Sequence, residues 1–222
     1  MNRSIKKEFV PAIIFAAALI SGMWFYGKFP EKVATHWNFE GQADGFSSRG
    51  FGAFFLPILM MILYPLFLVL PRLDPKKNNY PKFENTYFFV RTTLLAFFLA
   101  IHLLTGFANL GYNIPIGRTV PAFVGLMFVI LGFQMKNVEQ NWFMGFRFPW
   151  TLSSEVVWKK TNRLGGYCLA AAGVAVAISS FLPKVAGLTL FIIAILQLIL
   201  VPMIYSYLSY KKEITAEKVP PA

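Results

Sequence analysis

The side chains able to do chemistry crowd into one stretch, residues 141–165. It holds Trp142, Trp150 and Trp158 with Arg147, Glu155, Lys159, Lys160 and Arg163, between two long apolar runs. Arg147 stands among Phe143, Phe146, Phe148 and Trp150. A guanidinium in that company can stack on rings, pair with an anion or bind backbone carbonyls. Gly145 and Pro149 break regular structure, so residues 141–150 read as a loop or re-entrant turn. Ser153 then suits a helix N-cap, with Glu155 in the first turn, where negative charge favours the helix dipole. Glu155, Lys159 and Arg163 recur at i, i+4 and i+8 along one helical stripe. Val157, Thr161 and Leu164 share another face, with Trp158 beside it. The expectation is a short interfacial helix feeding the next apolar run. Aromatic and basic residues also gather at the headgroup level simply to fix topology, so anchor and binding site both stand as readings.

A second polar cluster lies in residues 28–50. His36, Glu40 and Asp44 are types that bind zinc. Their spacing aligns them only on a helix, and Gly41 and Gly45 oppose one. The expectation is therefore a compact loop without metal, extended over residues 35–39, with Asp44-Gly45 as a turn. His102 and Asn109 fall inside an apolar run, where polar groups are costly and often functional. A hydrogen bond to a neighbouring helix suits them better than a proton relay. No Ser-His-Asp set, paired intramembrane carboxylate or glycine-rich phosphate loop is present. Neither catalysis nor a cofactor is expected. The single cysteine, Cys168, excludes an intramolecular disulfide and reads as a small buried residue.

These clusters must be positioned by membrane helices. Of 222 residues, 56% are hydrophobic and only 14% charged, against about 25% charged in a soluble domain. Apolar runs cover residues 9–27, 51–70, 86–110, 119–135, 164–182 and 185–207. The first is longer than a signal-peptide core and is read as a retained span. It carries Ala18 and Gly22, a spacing that permits close helix contact. Pro57 and Pro65 lie in the second run. The expected fold is all-α: one polytopic membrane domain over residues 1–222 with six transmembrane helices. The tail from Lys211 is expected to be loose.

Six spans place both termini on one side. Sixteen of the 21 Lys and Arg then fall on that side, and Lys28, Lys32, Arg49, Arg118 and Lys184 on the other. Cytoplasmic loops carry the basic excess. The termini and the 136–163 loop are thus expected in the cytoplasm, and the 28–50 loop outside. The net charge of +11 is explained by short loops between spans, without direct nucleic-acid binding.

Asn141, Gly145, Arg147, Pro149, Trp150, Thr151, Leu152, Ser153, Glu155, Trp158, Thr161, Arg163 and Gly165, at this spacing, resemble the signature of the SdpI family of bacterial membrane proteins. Pro30, Thr35, His36, Trp37, Asn38, Gly41, Asp44 and Gly45 resemble the small domain of unknown function that often precedes it. The two motifs cover about a quarter of the chain. Phe148 stands where the family usually has Thr, and Asn162 where His is common. The resemblance implies a multi-pass protein of the bacterial cytoplasmic membrane acting in immunity and signalling. Its expected partners are the lipid bilayer, a membrane-active toxin peptide and a transcriptional repressor held at the membrane. The alternatives are a small transporter or channel-like protein, motivated by Pro57, Pro65, His102 and Asn109, and a membrane enzyme using His36, Asp44 or Arg147.

Overall fold

In lipid the hydrophobic effect does not drive helices together, so close packing of small residues must do it. The computed structural model, which describes residues 7–217, follows that logic. Ala18, Ala53 and Ala172 are fully buried, while Ile13, Ile62, Ile193 and Leu196 point outward. Among the described residues five helices are long and apolar enough to cross a membrane, with only about a fifth of each apolar stretch buried. That surface needs acyl chains around it.

The elements run α1 (Phe9–Lys28), β1 (Lys32–Trp37), β2 (Ala43–Ser48), α2 (Arg49–Leu73), a 3-10 turn (Lys77–Phe83), α3 (Glu84–Asn109), α4 (Ile116–Met135), α5 (Pro149–Ser153), α6 (Glu155–Ser179) and α7 (Lys184–Glu217). Each of the six apolar runs is helical over most of its length. Three expectations change. The fold is mostly helical and not all-α, because the 28–50 segment is an antiparallel hairpin. The chain from Lys211 continues α7 as far as Glu217 instead of hanging loose; residues 218–222, with Lys218 and the Pro-Pro end, lie outside the described residues, as do residues 1–6 with Arg3 and Lys6. The run expected as a fifth span, residues 164–182, is not among the five apolar helices. It is part of α6, whose first three turns carry Glu155, Lys159, Lys160 and Arg163. From Leu164 to Ser179 only about 24 Å of apolar helix remains at 1.5 Å per residue, less than the roughly 30 Å of a hydrocarbon core.

The chain divides into two compact units. The first holds the chain through Val69 together with Arg91–Phe123. Ala18, Met60 and Leu95 form one of its cores, and Phe25, Phe29, Val33 and Ala53 another. A Cβ on Gly22 would stand 2.8 Å from the Ala53 carbonyl, so the small-residue spacing of α1 is used for backbone approach to α2. Glu8, at the N-cap of α1, pairs with the buried Arg91 of α3 and accepts from the Tyr64 hydroxyl of α2. One carboxylate thereby ties three helices together.

The second unit holds Leu70–Val90 and the chain from Val124 onward. Here α4 and α6 meet along glycines seven residues apart on each helix. A Cβ on Gly132 would lie 2.5 Å from the Gly166 carbonyl, and one on Gly125 would strike the Gly173 carbonyl. Only hydrogen side chains permit that approach. Cys168 is buried on the same helix, as expected.

Candidate functional site

The 136–163 segment folds by hydrogen-bonding its own backbone to a few amides and one carboxylate. Asn141 is fully buried. Its Nδ2 donates to the carbonyls of Glu139 and Met144, both at 2.9 Å, and its Oδ1 accepts from the amides of Phe143 and Met144 at 2.9 and 2.7 Å. A single side chain thus staples the whole turn. Gly145 follows with φ +114°, a region that disfavours side chains, and with Asn162 Oδ1 only 2.5 Å from where a Cβ would stand. Asn162 Oδ1 accepts from the Phe146 amide at 2.8 Å. The residue standing where the family often has His therefore does structural work as an amide.

Thr151 closes the next turn. Its hydroxyl accepts from the Phe148 amide at 2.8 Å and lies 3.1 Å from the Phe146 carbonyl. Pro149 opens α5, where its missing N–H costs nothing. Trp150 stacks on Phe148 at 5.7 Å and donates from Nε1 to Ser206 Oγ of α7 at 2.5 Å. The N-cap of α6 is Ser154 and not the expected Ser153. Ser154 Oγ accepts from the Val157 amide at 3.1 Å and donates to Glu213 of α7, while Ser153 bonds back to the Pro149 carbonyl. The break between α5 and α6 sets the cap one residue later than spacing suggests. Glu155 does sit in the first turn. The two faces of α6 also appear: Glu155, Lys159 and Arg163 are exposed, and Val157, Trp158 and Thr161 are buried. Trp158 donates from Nε1 to the Val138 carbonyl at 2.8 Å. The helix expected to lie separately at the interface is continuous with the rest of α6.

Arg147 takes the third of its three options. Its Nη1 donates to the Trp142 carbonyl at 2.6 Å, and the head is exposed. The segment therefore presents one guanidinium on a rigid floor.

Two residues that build this floor escape a reading of residue types. Asp74, 2% exposed, accepts from the Tyr80 hydroxyl and the Trp142 amide, each at 2.8 Å, and from the Lys76 amide at 2.7 Å. Gln140 donates to the carbonyls of Thr151 and Leu152 and accepts from Lys76 Nζ. Each is a polar residue in a loop, with no sequence signal beyond its place beside Pro75 or Asn141.

In the first unit the hairpin is organised by Asn38. Its Oδ1 accepts from the amides of Glu40 and Gln42, and Gly41 takes φ +78° against the backbone of Gly117. His36 Nδ1 meets Asp44 Oδ1 at 2.5 Å across the strands. Glu40 lies in the turn, so strand pairing and not a helix relates the three residues. Gly45 faces His36 because a Cβ there would come within 2.8 Å of the His36 Cβ, and Trp37 pairs with Ala43. Asn109 is the last residue of α3. It stands at the helix end, where it bonds both the amide and the carbonyl of Ala34, at 2.7 and 2.9 Å. It occupies the place of a third strand. His102 is buried against the Phe25 ring at 5.2 Å, and its Nε2 has no hydrogen-bond partner among the described residues. The expected bond to a neighbouring helix is not made there.

Together these features define a multi-pass helical membrane protein, with a β-hairpin in one unit and a hydrogen-bonded polar platform in the other. Residues 137–206 match the SdpI/YfhL protein family, and residues 13–61 match a domain of unknown function, DUF1648. The two matches enclose the platform and the hairpin. Over 208 residues the chain is 28% identical to the Immunity protein SdpI of Bacillus subtilis (strain 168), covering 94% of this chain and 98% of that protein. No solved structure matches it. The chain is thus similar, over most of its length, to the SdpI family of bacterial multi-pass membrane proteins.

Proposed function

We propose that this protein is a membrane immunity protein that binds and counters a membrane-active toxin peptide. The observation that carries the reading is similarity to a named immunity protein along nearly the full length of both chains. The site offered for recognition supports it: residues 136–163 hold their shape through internal hydrogen bonds and leave Arg147, Lys159 and Arg163 exposed. Such a surface binds without chemistry. In this reading α6 acts as the fifth of six spans, both termini are cytoplasmic, residues 28–50 face outside toward the peptide, and residues 136–163 face the cytoplasm. Asn141, Gly145, Trp150, Thr151 and Trp158 shape this surface and Arg147, Pro149, Glu155 and Arg163 are displayed on it, with His36, Trp37, Asn38, Gly41, Asp44 and Gly45 on the outer side. The basic cytoplasmic surface is where a transcriptional repressor would be held while toxin is present. Transport draws less support, because the Asn109 amide is engaged by the hairpin backbone.

The test is protection. A bacterium sensitive to such a peptide and lacking its own immunity gene, expressing this protein, keeps its membrane potential and survives challenge. Cells with correctly inserted protein that die like the empty-vector control overturn the proposal.

A further inference from the structure

We infer that the platform end of the second unit binds anionic phospholipid headgroups, with Arg147 gripping a phosphate. This goes beyond toxin recognition and holds whether or not that reading stands. The first observation is charge. Arg147, Lys159, Lys160, Arg163, Lys211 and Lys212 are all exposed. Ser154–Glu213 and Trp150–Ser206 hydrogen bonds join the start of α6 and the loop to the end of α7, so these cations share one end of the unit. At its other end, between α6 and α7, Lys184 is the sole basic residue. Acids offset only part of the patch: Glu139 pairs with Lys159 at 3.6 Å, Glu213 accepts from Ser154, and Glu155 sits in the first turn of α6, where it faces the helix dipole, which is three carboxylates against six cations.

The second observation is depth. Tyr207 packs edge-on against Trp150 at 5.4 Å, and Tyr205 and Tyr207 are exposed just before Lys211 and Lys212. Trp142, half exposed, lends its carbonyl to Arg147. Aromatic rings of this kind sit at the headgroup level. A 34-residue α7 is about 51 Å long, so its basic end reaches beyond the hydrocarbon. The cations are thus held where lipid phosphates lie. The guanidinium adds geometry: one N–H is fixed on the Trp142 carbonyl, which aims the remaining fork outward for bidentate contact with phosphate.

The test uses full-length protein with Trp24→Phe and Trp37→Phe, leaving Trp142, Trp150 and Trp158 as reporters. It is reconstituted in phosphatidylcholine vesicles containing brominated phosphatidylglycerol, and in the converse mixture with brominated phosphatidylcholine. Quenching should report at least a fivefold preference for phosphatidylglycerol at low salt, falling toward unity at high salt. Arg147→Gln should reduce the preference severalfold, and Arg147→Lys should restore only part. These residues are on the surface, so unchanged thermal melting of each variant shows that the fold persists. Equal quenching by both lipids, as expected if the patch serves only a soluble acidic partner, overturns the inference. So does a preference that survives high salt or simultaneous Arg147→Gln, Lys159→Gln and Lys160→Gln.

Discussion

Replacing Asp74 by Ala removes the acceptor for three donors: the Tyr80 hydroxyl, the Trp142 amide and the Lys76 amide. Hydrogen bonds to a charged group contribute about 1.5–3 kcal/mol each. The Lys76 amide is only partly buried and recovers a water. The Tyr80 hydroxyl is buried and recovers less. Removing the carboxylate also relieves the cost of burying a charge, so the net loss should be about 2–5 kcal/mol. At roughly 2–4 °C per kcal/mol for a chain of this size, melting should fall by about 4–20 °C. Asp74→Asn keeps the shape but turns an amide N–H₂ toward one donor, and should cost less than half as much. Hydrogen exchange locates the damage: amides of residues 140–146 should exchange faster, while those of the hairpin in the other unit should not change. An Asp74→Ala protein with wild-type melting and unchanged exchange at residues 140–146 would refute the claim that this carboxylate holds the platform.

Other consequences are more local. Gly132→Ala usually favours a helix by about 1 kcal/mol, but here the new Cβ meets the Gly166 carbonyl at 2.5 Å, so thermal melting should fall, and a rise would contradict the glycine seam. Gly145→Ala imposes a side chain at φ +114°, at a cost of about 1–3 kcal/mol, and should speed exchange of the Phe146 amide by displacing Asn162; unchanged exchange would count against the bond. Asn109→Ala takes both partners from Ala34, so the Ala34 amide should exchange faster by one to two orders of magnitude (about 1–3 kcal/mol per unsatisfied group) with α3 intact.

Much of this was legible because membrane helices declare themselves by hydropathy, and because Gly145, Pro149 and the tryptophans mark a break that charge and aromatics surround. What stayed hidden depends on partners distant in sequence. Asp74 looks like any loop carboxylate until Trp142, 68 residues away, donates to it. Asn109 sits at the end of an apolar run, so hydropathy assigns it to the membrane, while its amide pairs with a strand 75 residues earlier. β2 carries too much Gly and Ser to read as a strand, and Asn38 and Gly41 reveal a turn only once β1 and β2 are paired. α6 resists hydropathy because one continuous helix joins a charged platform to a short apolar stretch.

The central claim is that the exposed head of Arg147, displayed on this platform, serves toxin resistance. The guanidinium makes its hydrogen bond to the Trp142 carbonyl at the surface, so Arg147→Ala should leave insertion and melting unchanged. The decisive measurement is survival of toxin-challenged cells expressing wild type or Arg147→Ala at equal membrane levels. Protection by wild type that is lost in Arg147→Ala is the predicted result. Equal protection by both proteins would contradict it and leave Arg147 as a topology anchor.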